Sequence, residues 1–258
     1  MNLSYTMKGS SDNLPLVLIH AFPLNKAMWR HQLEDLSDIA CVIAPDTPGF
    51  GESPVLSEPP TMNAYVKKFQ DLLSSLNIEK AVFCGCSMGG YILFELWRQC
   101  PERVAGLILC DTRAEADGEE ARKKRENSIE QVNAQGTQAT AEAMLPVLAG
   151  QHTRQNRQAL VEEIKNIILN TKPEGIVHAQ QAMMTRPDST VTLSTISVPA
   201  LVVVGEEDAM IPLETAKKLK DGIPNATLEV VPEAGHLAPW ENPDYTNQAI
   251  RKYLQRIK

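Results

Sequence analysis

Apolar residues in this chain occur as short continuous runs, and between the runs they recur every three or four positions. That is the pattern of buried strands alternating with amphipathic helices. Strand-type runs lie at residues 2–6, 14–19, 40–44, 81–84, 104–110, 200–204 and 227–231. Helix-type periodicity covers 26–38, 61–77, 91–100, 213–221 and 243–257. Strands apolar on both faces and joined through helices predict an α/β fold, a mostly parallel central sheet covered by helices on each side. From 112 to 195 the strand pattern stops, and 115–135, 137–149, 154–171 and 173–185 all read as helices. The expected organisation is therefore a core built from 1–111 and 196–258 with a helical lid, 112–195, inserted over the sheet. The mixed charges of 119–126 read as a solvated helix face.

Composition narrows the function classes. A formal net charge of −7 over 258 residues leaves no basic surplus to neutralise phosphates, which argues against nucleic acid as a partner. The first residues lack a basic region followed by a long apolar core, and no apolar run is long enough to span a bilayer, so no membrane partner and a cytoplasmic location are expected. The five cysteines, Cys41, Cys84, Cys86, Cys100 and Cys110, fall mostly within or beside apolar runs and read as reduced, buried thiols. Cys84 and Cys86 lack the paired spacing of a zinc site, so neither a metal nor a cofactor is expected.

The candidate chemistry centres on Gly85-Cys86-Ser87-Met88-Gly89, a turn between a buried strand and a helix. This is the G-x-S-x-G pattern, in which a strained turn exposes a nucleophilic serine and small residues on either side remove collisions with the flanking strand and helix. The helix beyond it places the Met88 N–H where charge would form on a substrate oxygen, making Met88 one candidate oxyanion donor. His20-Ala21-Phe22-Pro23 leaves the strand 14–19. Strand exits carry ligand-binding groups in α/β sheets, so the Phe22 N–H is the candidate second donor.

A serine hydroxyl needs a base, and the base needs an orienting carboxylate. His236 follows the strand 227–231 in an exit loop, whereas His152 and His178 fall in the helical insert and His31 in the first long helix. For the acid, Asp208 lies in the exit loop of the preceding strand. Glu206 and Glu207 share that loop, and Asp111 also ends a strand, so spacing alone leaves them open.

Taken together, Gly85 to Gly89, His20 to Pro23, Asp46-Thr47-Pro48-Gly49-Phe50-Gly51-Glu52-Ser53, Gly205 to Asp208 and Ala234-Gly235-His236 resemble the α/β-hydrolase superfamily. His20 to Trp29 and Asp111 to Glu115 are similar to the small serine esterases grouped with enol-lactonases and cofactor-free haloperoxidases. The resemblance implies the α/β-hydrolase fold with Ser87 as nucleophile, Asp208 as acid, His236 as base, and Phe22 and Met88 as oxyanion donors. It departs from the family at Ala21, where the loop usually carries glycine, and the extra methyl is expected to narrow the space beside the oxyanion site.

The implied function is hydrolysis of a small carboxylic ester or lactone through an acyl-enzyme. A slow-turnover ligand receptor of the same fold and a perhydrolase are the alternatives. Met144, Leu145, Leu148, Ile164, Ile168, Met183 and Met184 supply apolar surface in the insert, for a substrate pocket or for helix packing. The natural substrate and the oligomeric state are not legible in the sequence.

Overall fold

A computed structural model describes residues 3–257. Its strands are β1 (Tyr5–Lys8), β2 (Pro15–Ile19), β3 (Cys41–Pro45), β4 (Ala81–Cys86), β5 (Val104–Cys110), β6 (Ala200–Gly205) and β7 (Ala226–Val231). They form one seven-stranded sheet in the order β1-β3-β2-β4-β5-β6-β7. Only the β1–β3 pairing is antiparallel. The opening strand, expected at 2–6, runs instead from Tyr5; Asn2 lies outside the described residues. The Ser4 N–H donates to Ser53 Oγ at 2.9 Å and its carbonyl accepts from the Asp46 N–H. That commits Ser4 to the loop after β3 before the strand begins.

Helices on the two faces are α1 (Arg30–Asp35), α2 (Met62–Ser75), α3 (Met88–Gln99), α10 (Leu213–Gly222), α11 (Ala238–Glu241) and α12 (Pro243–Leu254). The insert contains α4 (Glu119–Gln135), α5 (Thr137–Leu148), α6 (Gln151–Asn156), α7 (Gln158–Leu169), α8 (Pro173–Met184) and α9 (Thr190–Leu193). Local chemistry sets the ends. Thr61 caps α2 by accepting the Ala64 N–H at 3.1 Å, a Ser/Thr N-cap contact. The buried stripe Met62, Tyr65, Val66, Phe69, Leu72 and Leu73 then faces the sheet. The first helix, expected as 26–38, is a 3₁₀ turn at Lys26–Trp29 followed by the short α1. Lys26 accounts for the tight start, because Asp46 holds both its N–H (2.8 Å) and its ammonium (2.6 Å).

Strand alternation sorts the core into two clusters. Val17, Ile19, Phe83, Leu107, Leu109, Val202 and Val204 face α2, α3 and α10. Leu16, Leu18, Val82, Cys84, Ile108, Leu201 and Val203 face α1, α11 and α12. Successive side chains of a strand point to opposite faces, so an all-apolar strand feeds both clusters. The insert joins each of them: Ile176, Ala179 and Met183 of α8 belong to the first, and Leu148, Leu160, Ile164 and Ile168 to the second. Of the seven insert residues expected to supply apolar surface, Leu148, Ile164, Ile168 and Met183 are thus packed in the core. Leu145 lines an outer groove of about 480 Å³ beside Val161 and Lys165.

The helix expected at 154–171 is broken at Arg157 (φ −130°, ψ 57°). The Arg157 guanidinium donates to the Glu241 carbonyl oxygen at the break, and beyond it Leu160, Ile164 and Ile168 of α7 pack in the second cluster. No glycine or proline marks it. All five cysteines are free and buried. Among the described residues, no helix is long and apolar enough to cross a membrane.

Because the insert shares both clusters, it should unfold with the sheet. Ile164→Ala removes a fully buried side chain and should lower stability by ~2–5 kcal/mol in one cooperative denaturant transition. A separate early transition for the insert would contradict this.

Candidate active site

The turn at Ser87 is tight and strained. Ser87 has φ 52° and ψ −110°, a left-handed conformation that costs a non-glycine residue about 1–3 kcal/mol. Its surroundings hold it there: the Ser87 N–H donates to Cys110 O at 2.9 Å, and Ser87 O accepts Thr112 Oγ1 at 2.8 Å. A Cβ on Gly85 would lie 2.5 Å from the Gly89 carbonyl carbon, and one on Gly89 would lie 2.4 Å from Ile19 O. Both positions therefore require glycine. The helix α3 begins at Met88 rather than at 91 as expected, immediately beyond the serine.

The contact of Gly89 with Ile19 O also brings the exit loop of β2 beside the serine. That loop is pinned by His20, which is fully buried. Its Nε2 lies 2.9 Å from the Thr47 N–H, which only a lone pair can accept, so the proton sits on Nδ1 and is donated to Ala21 O at 2.9 Å. Burial lowers the pKa of His20, against the opposing pull of the Ala21 carbonyl and the Asp46 charge. The Ala21 methyl packs in the cluster with Leu24, Met28 and Trp29. Phe22 follows in this loop, and Met88, as the first residue of α3, has an N–H with no intrahelical acceptor. The two residues expected as oxyanion donors therefore stand on two segments in direct contact.

Ser87, Asp208 and His236, drawn from the loops after β4, β6 and β7, meet at one edge of the sheet. His236 Nε2 is 2.8 Å from Ser87 Oγ, and its Nδ1 is 2.8 Å from Asp208 Oδ2. A carboxylate only accepts, so Nδ1 carries the imidazole proton and Nε2 presents a lone pair to the serine hydroxyl. The other Asp208 oxygen accepts the N–H groups of Met210 (2.7 Å) and Ile211 (3.0 Å), which fixes the carboxylate in place.

The competing residues are occupied elsewhere. Glu206 is exposed, and Glu207 Oε2 accepts the His152 N–H at 2.8 Å. Asp111 is buried, with one oxygen on the Gly205 N–H (2.8 Å) and the other on the Ala238 N–H (3.1 Å). Burial, then the Asp208 charge, pushes its carboxyl well above the usual carboxylate range. Among the other histidines, His31 Nε2 accepts from Arg30 Nε, and His152 faces Glu233 at 3.8 Å.

Three contributors have roles that the sequence does not assign. Thr112 anchors the serine carbonyl, His20 fastens the Phe22 loop, and Glu241 accepts N–H groups on either side of His236. The only sequence signal for Glu241 is an acid at the end of the apolar run 237–240.

The family model described as alpha/beta hydrolase fold matches residues 15–243, and the chain belongs to that family. Among solved structures it is similar to a thermophilic esterase from Thermogutta terrifontis (malate bound), at 41% identity and a TM-score of 0.96, covering 99% of this chain and 93% of the other. It is also similar to the enol-lactonase from Burkholderia xenovorans LB400, at 26% identity and a TM-score of 0.91 over 98% and 96% of the two chains. A curated relative, 3-oxoadipate enol-lactonase 2 of Acinetobacter baylyi, is 28% identical over 99% of this chain and 94% of its own.

The lowered His20 pKa has a consequence for stability. The unfolded imidazole takes up a proton below about pH 6.5, while the folded one resists until its own lower pKa. Its contribution is thus intact above ~6.5 and is lost as pH falls from there through the folded value. Denaturant melts of wild type and His20→Gln across pH 7 to 5 should show a shallower acid-side loss in the variant. Parallel curves would contradict a neutral His20.

Proposed function

We propose that the protein is a serine hydrolase that cleaves small carboxylic esters or lactones, with Ser87 as nucleophile, His236 as base and Asp208 as orienting acid. The observation that carries this reading is the unbroken hydrogen-bonded chain Ser87–His236–Asp208, 2.8 Å at each link.

Ser87 Oγ attacks the acyl carbon while His236 Nε2 takes the hydroxyl proton, and the carbonyl electron pair moves onto oxygen. The N–H groups of Phe22 and Met88, backed by the positive end of α3, hold that oxyanion. Collapse of the tetrahedral species expels the alkoxide, which His236 protonates, and leaves an ester on Ser87. With a lactone, the leaving alcohol stays tethered to the acyl group. Water, deprotonated by His236, then releases the acid and restores the serine.

The helical insert serves as the lid that selects the acyl group in this reading. Met144 supports that role, since it packs half-buried against both apolar clusters.

A fluorophosphonate probe should label the wild type, and Ser87→Ala should abolish labelling with the circular dichroism spectrum unchanged. Labelling that survives would remove Ser87 as nucleophile. Asp208→Asn should lower turnover of an activated ester by about four orders of magnitude, as the wrong imidazole tautomer does in serine proteases, and Asp111→Asn far less. The reverse order would move the acid to Asp111. Met144→Ala should shift acyl-length preference by ~1–3 kcal/mol per methylene, read from relative kcat/KM over an ester series. Unchanged ratios would place the acyl pocket elsewhere.

A further inference from the structure

The histidine loop is held by a carboxylate outside the Ser87–His236–Asp208 chain. Glu241 is buried in α11, five residues after His236. Its Oε1 accepts the Gly235 N–H at 2.9 Å and the Leu237 N–H at 3.1 Å, the amides immediately before and after the histidine. Its Oε2 accepts the Gly150 N–H at 2.7 Å. Gly150 lies in the segment joining α5 to α6, so one carboxylate grips the base loop with one oxygen and the insert with the other.

Other contacts bind the same two segments. The His236 N–H donates to Leu148 O at 3.1 Å. A Cβ on Gly150 would lie 2.7 Å from Gly235 N, and one on Gly235 would lie 2.3 Å from Gly150 N. The backbones touch, and glycine on both sides is what lets them. Glu207 holds the next part of the insert through the His152 N–H. Burial raises the Glu241 pKa, while the Thr153 hydroxyl and the three amide donors pull the other way.

We infer that Glu241 is a positioning residue that couples the insert to the base: its bridge from Gly150 to the Gly235 and Leu237 amides sets where His236 stands relative to Ser87. This rests on the serine hydrolase reading above. The coupling means that the junction 148–152 acts on the rate of the chemical step through His236, in addition to shaping access.

Glu241→Gln tests this with little change in volume. An amide keeps one accepting oxygen and presents an NH₂ at the other position, so either Gly150 or the pair of amides beside His236 loses its acceptor. Displacing a catalytic group by about an ångström costs on the order of 10- to 100-fold in rate. Glu241→Gln should therefore lower kcat on an activated ester by that factor with KM little changed, and slow fluorophosphonate labelling of Ser87 in parallel. The deshielded His236 Nδ1 proton should shift in the NMR spectrum.

Gly150→Ala attacks the bridge from the insert side and should lower kcat in the same direction, which keeps the test decisive if Glu241→Gln folds poorly. Ile164→Ala is the control for loss of stability alone and should keep wild-type kcat well below its melting temperature. Wild-type kcat, labelling rate and Nδ1 resonance in folded Glu241→Gln, or wild-type kcat in Gly150→Ala, would overturn the inference. Failure of the wild type to react with the probe would instead overturn the hydrolase reading on which it rests.

Discussion

A single backbone constraint governs the edge of the sheet where the reactive residues gather. Ser87 occupies φ 52°, and it can do so only because β4 enters and α3 leaves without side chains at Gly85 and Gly89. The same two glycines let α3 close on β4 and reach Ile19 O at the end of β2. One turn thereby aims the hydroxyl, starts a helix at the next residue, and draws in the loop that carries Phe22. The strain of ~1–3 kcal/mol is offset by the Cys110 and Thr112 hydrogen bonds and by fully buried strands on either side.

Much of this was legible along the chain. Buried strands leave apolar runs and the edge strand β7 a β-branched one, so six of the seven strands fall where the pattern puts them, and the glycine spacing of the elbow marks the serine. The loop positions of Asp208 and His236 follow from strand order. What spacing alone leaves open is the acid, because β5 lies between β4 and β6 and Asp111 ends it at the same edge. Only the aim of the side chains separates the two: Asp208 faces imidazole Nδ1, and Asp111 spends its oxygens on Gly205 and Ala238. The break at Arg157 was illegible for a different reason. It depends on a guanidinium reaching a carbonyl 84 residues away, a contact with no local signature.

The insert is more closely tied to the edge that carries Ser87, Asp208 and His236 than a flap laid over it. Its helices complete the apolar clusters on both faces, and its segment from Leu148 to His152 meets the histidine loop backbone to backbone. A close fold match to an esterase and to an enol-lactonase is consistent with one chemical edge serving substrates whose leaving alcohol is free or tethered. In the proposed reading the insert makes that distinction, and Met144 packs against both clusters there.

In the proposed chemistry an acyl group passes through Ser87. The most direct measurement is intact-protein and peptide mass spectrometry of an acid-quenched reaction with an activated ester within the first turnovers. A mass increase of one acyl group, confined to the peptide that contains Ser87, is expected. Turnover of the ester with no acylated protein at any quench time, or with the acyl group on another residue, would contradict it.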